Sequence, residues 1–113
     1  MKTEILQELF EILEARKAAN PDESYAASLY KKGSKKIAKK LGEEATELVI
    51  EAIRLEAKPK SDKRAKAFRE EAADLLFHYL VLLAHHNVPP EEILEILKGR
   101  MGTSGLAEKA ARP

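Results

Sequence analysis

Residues 34–57 read SKKIAKKLGEEATELVIEAIRLEA, and this stretch decides the fold. Its apolar residues recur at every third or fourth position: Ile37, Ala38, Leu41, Ala45, Leu48, Val49, Ala52 and Ile53. That period is typical of one long amphipathic helix, which Ser34 is predicted to cap. Gly42 interrupts the pattern, and a glycine inside a helix costs about 1 kcal/mol relative to alanine. Gly42 therefore predicts either a kink or a close approach to the backbone.

A second long helix is predicted from about Lys63 to His86, after the linker 58–62, in which Ser61 or Asp62 is the expected cap. Its second half, LLFHYLVLL at 75–83, is apolar on almost every side and must be buried all round. A chain of 113 residues can hardly surround such a helix alone. We therefore expect a second copy of the chain in a two-fold dimer.

The other segments complete an all-α domain of about five helices covering residues 1–113. The first helix is predicted to end near Lys17, a short one to end at Gly33, and the last to run from Pro90 to Gly99 or Gly102. Ala, Leu, Glu, Lys and Ile dominate the composition, and most of them favour helix. The tail 102–113 is rich in Gly, Ser and Ala and is expected to be loosely ordered.

Composition excludes several classes of function. The formal net charge is only +1, which argues against a general binder of nucleic acid or acidic membranes. No apolar run approaches the roughly 20 residues needed to span a bilayer. The absence of cysteine leaves only carboxylate and imidazole as metal ligands and suits a reducing compartment. We expect a cytoplasmic protein.

Acidic side chains face each other across the two long helices. Glu44, Glu47 and Glu51 form a stripe beside the apolar face of the first, while Glu71, Asp74 and His78 share the inward stripe of the second. Ionised carboxylates near a core cost several kcal/mol each unless something compensates them. A hard divalent cation held by Glu44, Glu47, Glu71 and Asp74 resolves the conflict, and oxygen ligands favour Mg²⁺ or Mn²⁺ over zinc. The alternative is that these are ordinary surface acids.

Lysines crowd the segment before the acids: Lys31, Lys32, Lys35, Lys36, Lys39 and Lys40. Lys36 and Lys40 fall on the side of Glu43 and Glu47, where they suit a phosphate-bearing ligand. The alternative is a solvated helix face with Lys–Glu pairs.

The histidines and two of the tyrosines complete the set of candidate residues. His78 is either a support for the site or a ligand contact, although a lone inward histidine is more often a satisfied core residue. His85 and His86 are predicted to complement a helix C-terminus as imidazolium. Tyr25 and Tyr30 are interpreted first as packing residues, with stacking on a base as the less favoured role.

Two motifs carry a family resemblance. Glu43-Glu44-Ala45-Thr46-Glu47 and Glu71-Ala72-Ala73-Asp74 resemble the EExxE and ExxD signature of the MazG-type all-α nucleotide pyrophosphohydrolases. More closely, SYAASLYKKGSKKIAKKLGEEATELVIEA at 24–52 and EEAADLLFHYLVLLA at 70–84 resemble the phosphoribosyl-ATP pyrophosphatase family of histidine biosynthesis. The similarity covers roughly residues 5–100.

The resemblance implies an obligate helical dimer that uses magnesium to hydrolyse phosphoribosyl-ATP to phosphoribosyl-AMP and pyrophosphate. It implies metal ligation by Glu44, Glu47, Glu71 and Asp74, with Glu43 a further ligand or a group that orients the water. Gly33, Lys36 and Lys40 match the block where substrate phosphates would lie. Spacing does not identify the carboxylate that takes the proton of the attacking water, and Glu47 is our first choice.

Two alternatives stay open on the sequence. A house-cleaning pyrophosphohydrolase acting on ordinary or damaged nucleoside triphosphates would share the metal site. A non-catalytic helical dimerisation module would use the acids only for ion pairs with the lysines. The sequence contains no Ser-His-Asp, P-loop or dinucleotide-binding pattern.

Overall fold

A computed structural model of the chain describes residues 2–102. Helix α1 spans Lys2–Ala15 and continues into a 3₁₀ turn at Arg16–Ala18; it is followed by α2 at Tyr25–Lys32, α3 at Ser34–Ala57, α4 at Asp62–His85 and α5 at Pro90–Gly99. No strand occurs between residues 2 and 102. The prediction of an all-α chain with five helices, two of them long, is confirmed. The predicted loose order of the tail concerns residues that, apart from 102, lie outside those described.

Local capping explains most helix limits. The Ser61 hydroxyl oxygen accepts a hydrogen bond from the backbone N–H of Arg64 at the start of α4, as predicted, and Pro90 opens α5. Ser24 caps α2 in the same way, through the N–H of Ala27. Gly33 ends α2 with a φ of 91°, and its N–H donates to the carbonyl of Leu29.

One expectation about α3 is wrong, and for Gly42 one of two alternatives is excluded within the described residues. Gly33, not Ser34, is the residue that precedes its first turn, because the Ser34 hydroxyl lies 2.7 Å from Nε2 of His86 and is engaged with the end of α4. No neighbouring atom lies within 4 Å of the position that a Cβ of Gly42 would occupy. The helix continues through Gly42, so a close approach to the backbone does not explain this glycine.

The core lies where α1 and α2 cover one end of the α3–α4 pair. Leu29, Ile37, Leu80 and Val81 are almost completely buried there, and Leu13 packs against them. The pairing of α3 with α4 is the most extensive contact between elements of the fold. This antiparallel pair sets the acids of α3 opposite those of α4.

The outer face of the α3–α4 pair is apolar and open. Leu76 of α4 is 42% exposed, and Val49 and Ile53 of α3 are 58% and 65% exposed. A groove of about 410 Å³ on this face is lined almost entirely by apolar atoms of Leu41, Leu48, Ala72, Leu75, Leu76 and Tyr79. One chain therefore does not bury the second half of α4 on all sides. None of the helices between residues 2 and 102 combines the length and the hydropathy that crossing a membrane requires.

Candidate active site

Three predicted carboxylates meet between α3 and α4. Glu44, Glu71 and Asp74 each offer an oxygen atom, and these atoms all lie within 4.8 Å of one another. Glu71 and Asp74 are three residues apart on one face of α4, while Glu44 approaches from α3. Glu44 and Glu71 are half-buried, but Asp74 is exposed, so the prediction that Asp74 points inward is wrong. The cluster lies at the edge of the helix pair, open to solvent on the Asp74 side.

Glu71 is the acid of the cluster whose pKa is shifted. Burial, a hydrogen bond with Glu44 and the nearby charges of Glu44, Asp74 and Glu47 raise the pKa of Glu71 from 4.5 to about 7. Its Oε2 atom is buried and has no hydrogen-bond partner among the described residues. Negative charge at this point lacks a compensating cation, and an oxygen atom is free to bind one.

The other two acids of the predicted site occupy its margin. The Glu47 carboxylate is exposed and lies outside the group of three, although its charge contributes to the raised pKa of Glu71. Glu43 is exposed, with an oxygen 3.8 Å from Nζ of Lys40. Glu51, on the same stripe as Glu44, is half-buried and pairs with Arg54 at 3.1 Å.

Lys40 is the cation that borders the cluster. Its Nζ lies 3.6 Å from Oε1 of Glu44. Nearby Tyr25, and then Glu44 and Glu43, raise the pKa of Lys40 against the opposing effect of burial. Lys40 thus stays charged beside the acids, where a phosphate oxygen would meet it. Lys36 is exposed one turn earlier on α3, and Gly33 lies just before that helix begins.

His78 is buried behind the acids with both ring nitrogens engaged. Nδ1 lies 2.8 Å from the carbonyl oxygen of Asp74, and Nε2 lies 2.9 Å from the Tyr25 hydroxyl. A carbonyl only accepts, so Nδ1 carries the proton and Nε2 accepts from Tyr25. Only 6% of His78 is exposed, and this geometry favours a satisfied residue that supports Asp74. A direct contact of His78 with substrate stays a prediction.

Tyr25 is a residue whose place sequence reasoning missed. The predicted packing role is confirmed, since its ring stacks on Phe77, but Tyr25 is also 52% exposed and connects α2 to His78 and to the neighbourhood of Lys40. Its partner lies 53 positions away, and spacing within one helix cannot reveal such a pair. The Ser24 cap, which fixes Tyr25 as the first residue of α2, was the available local signal.

The two histidines at the end of α4 differ from the prediction. His85 stacks on Tyr30, with ring centroids 6.0 Å apart. Burial, followed by the charges of His86 and Lys17, lowers the pKa of His85, so an imidazolium complementing the helix end is not what this position favours. His86 is occupied by its contact with Ser34.

Comparison with known proteins places this geometry in a family. The profile of the phosphoribosyl-ATP pyrophosphohydrolase family matches residues 6–101. A phosphoribosyl-ATP pyrophosphatase of Geobacter metallireducens is 50% identical over 112 residues, covering 99% of this chain and 95% of the relative. Those of Cereibacter sphaeroides and Rhizorhabdus wittichii are 48% and 52% identical, with 96% and 98% of this chain and 97% of each relative covered. The chain belongs to the phosphoribosyl-ATP pyrophosphohydrolase family.

Proposed function

We propose that this protein hydrolyses phosphoribosyl-ATP to phosphoribosyl-AMP and pyrophosphate, the second step of histidine biosynthesis, in the cytoplasm. The observation that carries the proposal is the meeting of Glu44, Glu71 and Asp74 within 4.8 Å, with Lys40 beside them. Family membership selects the substrate, since the names of its relatives specify phosphoribosyl-ATP. The reaction needs positive charge to bind a phosphoanhydride, and Lys40 and a cation held by the three acids would supply it.

A divalent cation fits the carboxylate cluster. The donors are all oxygen atoms, which suit Mg²⁺ and also Mn²⁺. The unpartnered Oε2 of Glu71 and the raised pKa of its carboxyl mark the point where positive charge is missing. We assign Glu44, Glu71 and Asp74 as ligands, and Glu47, at the margin of the cluster, as the base rather than the fourth ligand that the sequence predicts. A bound ion would neutralise charge on the phosphates and polarise the bond that breaks.

The side chains of the protein supply the remaining parts of the reaction. Lys40, already held near Glu44, would bind phosphate oxygens, with Lys36 one turn away extending the positive charge along α3. Exposed Glu47 can take the proton of the attacking water, because its carboxylate is not held in the group of three. Glu43, at 3.8 Å from Lys40, is placed to orient that water or to fix the lysine.

We also propose that two copies of the chain form the active enzyme. The apolar groove between α3 and α4 and the exposed Val49, Ile53 and Leu76 form a face that a second α3–α4 pair would cover. Exposed apolar patches of this kind mark association surfaces. A four-helix arrangement of two such pairs would bury the second half of α4 on the side that one chain leaves open.

One assay separates this function from its alternatives. Purified protein is incubated with phosphoribosyl-ATP or with a panel of nucleoside triphosphates, each with magnesium or with a chelator, and pyrophosphate is measured. Magnesium-dependent release from phosphoribosyl-ATP is the expected result. Turnover of the panel without turnover of phosphoribosyl-ATP would indicate a house-cleaning enzyme, and inactivity on all substrates would favour a dimerisation module.

A further inference from the structure

A cavity bordered by Tyr25 and Phe77 has no role in the chemistry described so far. It has a volume of about 560 Å³ and opens between α1, the connection at 16–24 and α4. Ligand sites in proteins commonly measure about 300–1,000 Å³. Leu13 and Phe77 give the cavity apolar walls, and Arg16, Asn20 and Glu23 give it polar ones. Its size and mixed lining suit part of a nucleotide.

Tyr25 joins this cavity to the active site. Its ring lines the cavity and lies nearly parallel to that of Phe77, with centroids 6.2 Å apart. Its hydroxyl contacts His78 and lies near Lys40, so the same side chain borders the cavity and the phosphate end of the site. A ligand whose phosphates lie at Lys40 can therefore extend past Tyr25 into the cavity.

The connection that closes the cavity is ordered by its own hydrogen bonds. The Asn20 side-chain oxygen accepts from the N–H of Asp22 at 2.9 Å, and the Asn20 carbonyl accepts from Glu23 and Ser24. With its oxygen engaged, the Asn20 amide group presents its N–H donors. This wall is preorganised and needs little rearrangement to bind a ligand.

Arg16 is the cation of the cavity. Its guanidinium makes no ion pair or side-chain hydrogen bond with any described residue. The neighbouring Lys17, by contrast, is held by Glu14 and by Asn87, each at 2.9 Å. Of two adjacent cations at the end of α1, one is thus committed to the fold and one is available to an anion. A guanidinium binds a phosphate through two parallel hydrogen bonds.

The substrate class has a matching shape. Phosphoribosyl-ATP carries a triphosphate at one end and the phosphate of a second ribose at the other, with the purine between them. The following inference rests on the proposed function. We propose that the phosphate on the second ribose enters this cavity and pairs with Arg16. This pairing distinguishes phosphoribosyl-ATP from ATP, which lacks that phosphate. The purine passes Tyr25, and Asn20 and Glu23 meet the ribose hydroxyls.

The test compares Arg16→Gln with Lys17→Gln, the matched removal of the neighbouring positive charge. Binding of phosphoribosyl-AMP and of AMP is measured by calorimetry with magnesium present, and KM and kcat are measured with phosphoribosyl-ATP. We expect Arg16→Gln to weaken binding of phosphoribosyl-AMP by about 10- to 100-fold, leave AMP unchanged, and raise KM with little change in kcat. Lys17→Gln should match the wild type.

Equal affinity of Arg16→Gln and the wild type for phosphoribosyl-AMP would overturn the inference and leave Arg16 as a cation at a helix end. If Arg16→Gln does not fold, Arg16→Lys replaces it, with a smaller loss in the same direction because lysine lacks the planar fork. Failure of the wild type to hydrolyse phosphoribosyl-ATP would reject the proposed function instead. The binding comparison separates these two failures, since it does not depend on turnover.

Discussion

The hydroxyl oxygen of Tyr25 lies 2.9 Å from Nε2 of His78, although 53 positions separate the two residues. Nδ1 of His78 donates to the carbonyl of Asp74, so in the neutral imidazole the Tyr25 hydroxyl donates its proton to Nε2. One contact thus connects α2 to the acidic turn of α4.

Removing this contact gives the first prediction. Tyr25→Phe should lower the free energy of unfolding by about 0.5–1.5 kcal/mol, because the ring still packs on Phe77 while Nε2 of His78 loses its donor. Urea unfolding measures the loss. Tyr79→Phe is the control, since the Tyr79 hydroxyl makes no hydrogen bond within the described residues. Equal stability of Tyr25→Phe and Tyr79→Phe would show that the contact contributes nothing.

Gly33 and Gly42, which flank the lysines at 35–40, should respond in opposite ways to substitution by alanine. Gly33 has φ 91° and ψ 175°, a conformation that is essentially restricted to glycine, so Gly33→Ala should cost about 1–3 kcal/mol. Gly42 lies inside α3 with open space around it, so Gly42→Ala should stabilise the protein by about 0.5–1 kcal/mol. Thermal unfolding of both variants is the measurement, and a stabilising Gly33→Ala would contradict the assigned backbone.

The sequence predicts the features that depend only on residues within a single helix. The cap at Ser61, the start of α5 at Pro90, the stop at Gly33 and the acidic faces of α3 and α4 all follow from spacing within a helix. Contacts between distant segments were not predictable, because periodicity does not specify which face meets which neighbour. Ser34 therefore appeared to be a cap rather than a partner of His86.

The same limit applies to the candidate site. Its acids were found because two helices carry them in register, whereas the cavity containing Arg16 depends on how α1 crosses the α3–α4 pair. The exposure of Asp74 was also missed, since a position on an apolar stripe can still lie at the edge of the packed surface.

The raised pKa of Glu71 predicts that, without divalent ions, the contribution of this residue to stability falls as the pH rises. Its pKa rises from 4.5 to about 7 on folding, so the folded chain binds this proton more tightly than the unfolded chain. The stabilising contribution is complete below pH 4.5 and is lost as the pH rises through 7. Glu71→Gln cannot lose a proton and should be more stable than the wild type at pH 8, an advantage that disappears at pH 4.

At pH 8, magnesium should make the wild type more stable than Glu71→Gln. An ion bound by the cluster stabilises the folded wild type by about 2.7 kcal/mol at 100 times its dissociation constant, and Glu71→Gln should gain less. Urea unfolding with and without magnesium provides the measurement, with Glu56→Gln on the exposed side of α3 as a control. Equal gains in Glu71→Gln and Glu56→Gln would exclude Glu71 as a ligand.

The proton acceptor is tested by comparing Glu47→Gln with Glu43→Gln. If Glu47 takes the proton of the attacking water, Glu47→Gln should lower kcat by about 10²–10⁴-fold or more while the helical circular dichroism is unchanged. Glu43→Gln should cause a smaller loss, because Glu43 contacts Lys40 at the margin of the cluster. Pyrophosphate release at saturating magnesium is measured for both. Near-normal rates in Glu47→Gln would remove this residue from the site.

The last prediction concerns dimer formation and follows from the open apolar face of the α3–α4 pair. The wild type should sediment at twice the 12.6 kDa mass of one chain, because covering Val49, Ile53 and Leu76 removes a large apolar area from water. Leu76→Glu should shift the protein towards monomers, since a charge there would be buried without a partner. Ile96→Glu changes an exposed apolar residue on α5, 53% exposed against 42% for Leu76, and should leave the dimer intact. A monomeric wild type at micromolar concentration would contradict the proposed interface, and activity measured on that monomer would show that one chain completes the site alone.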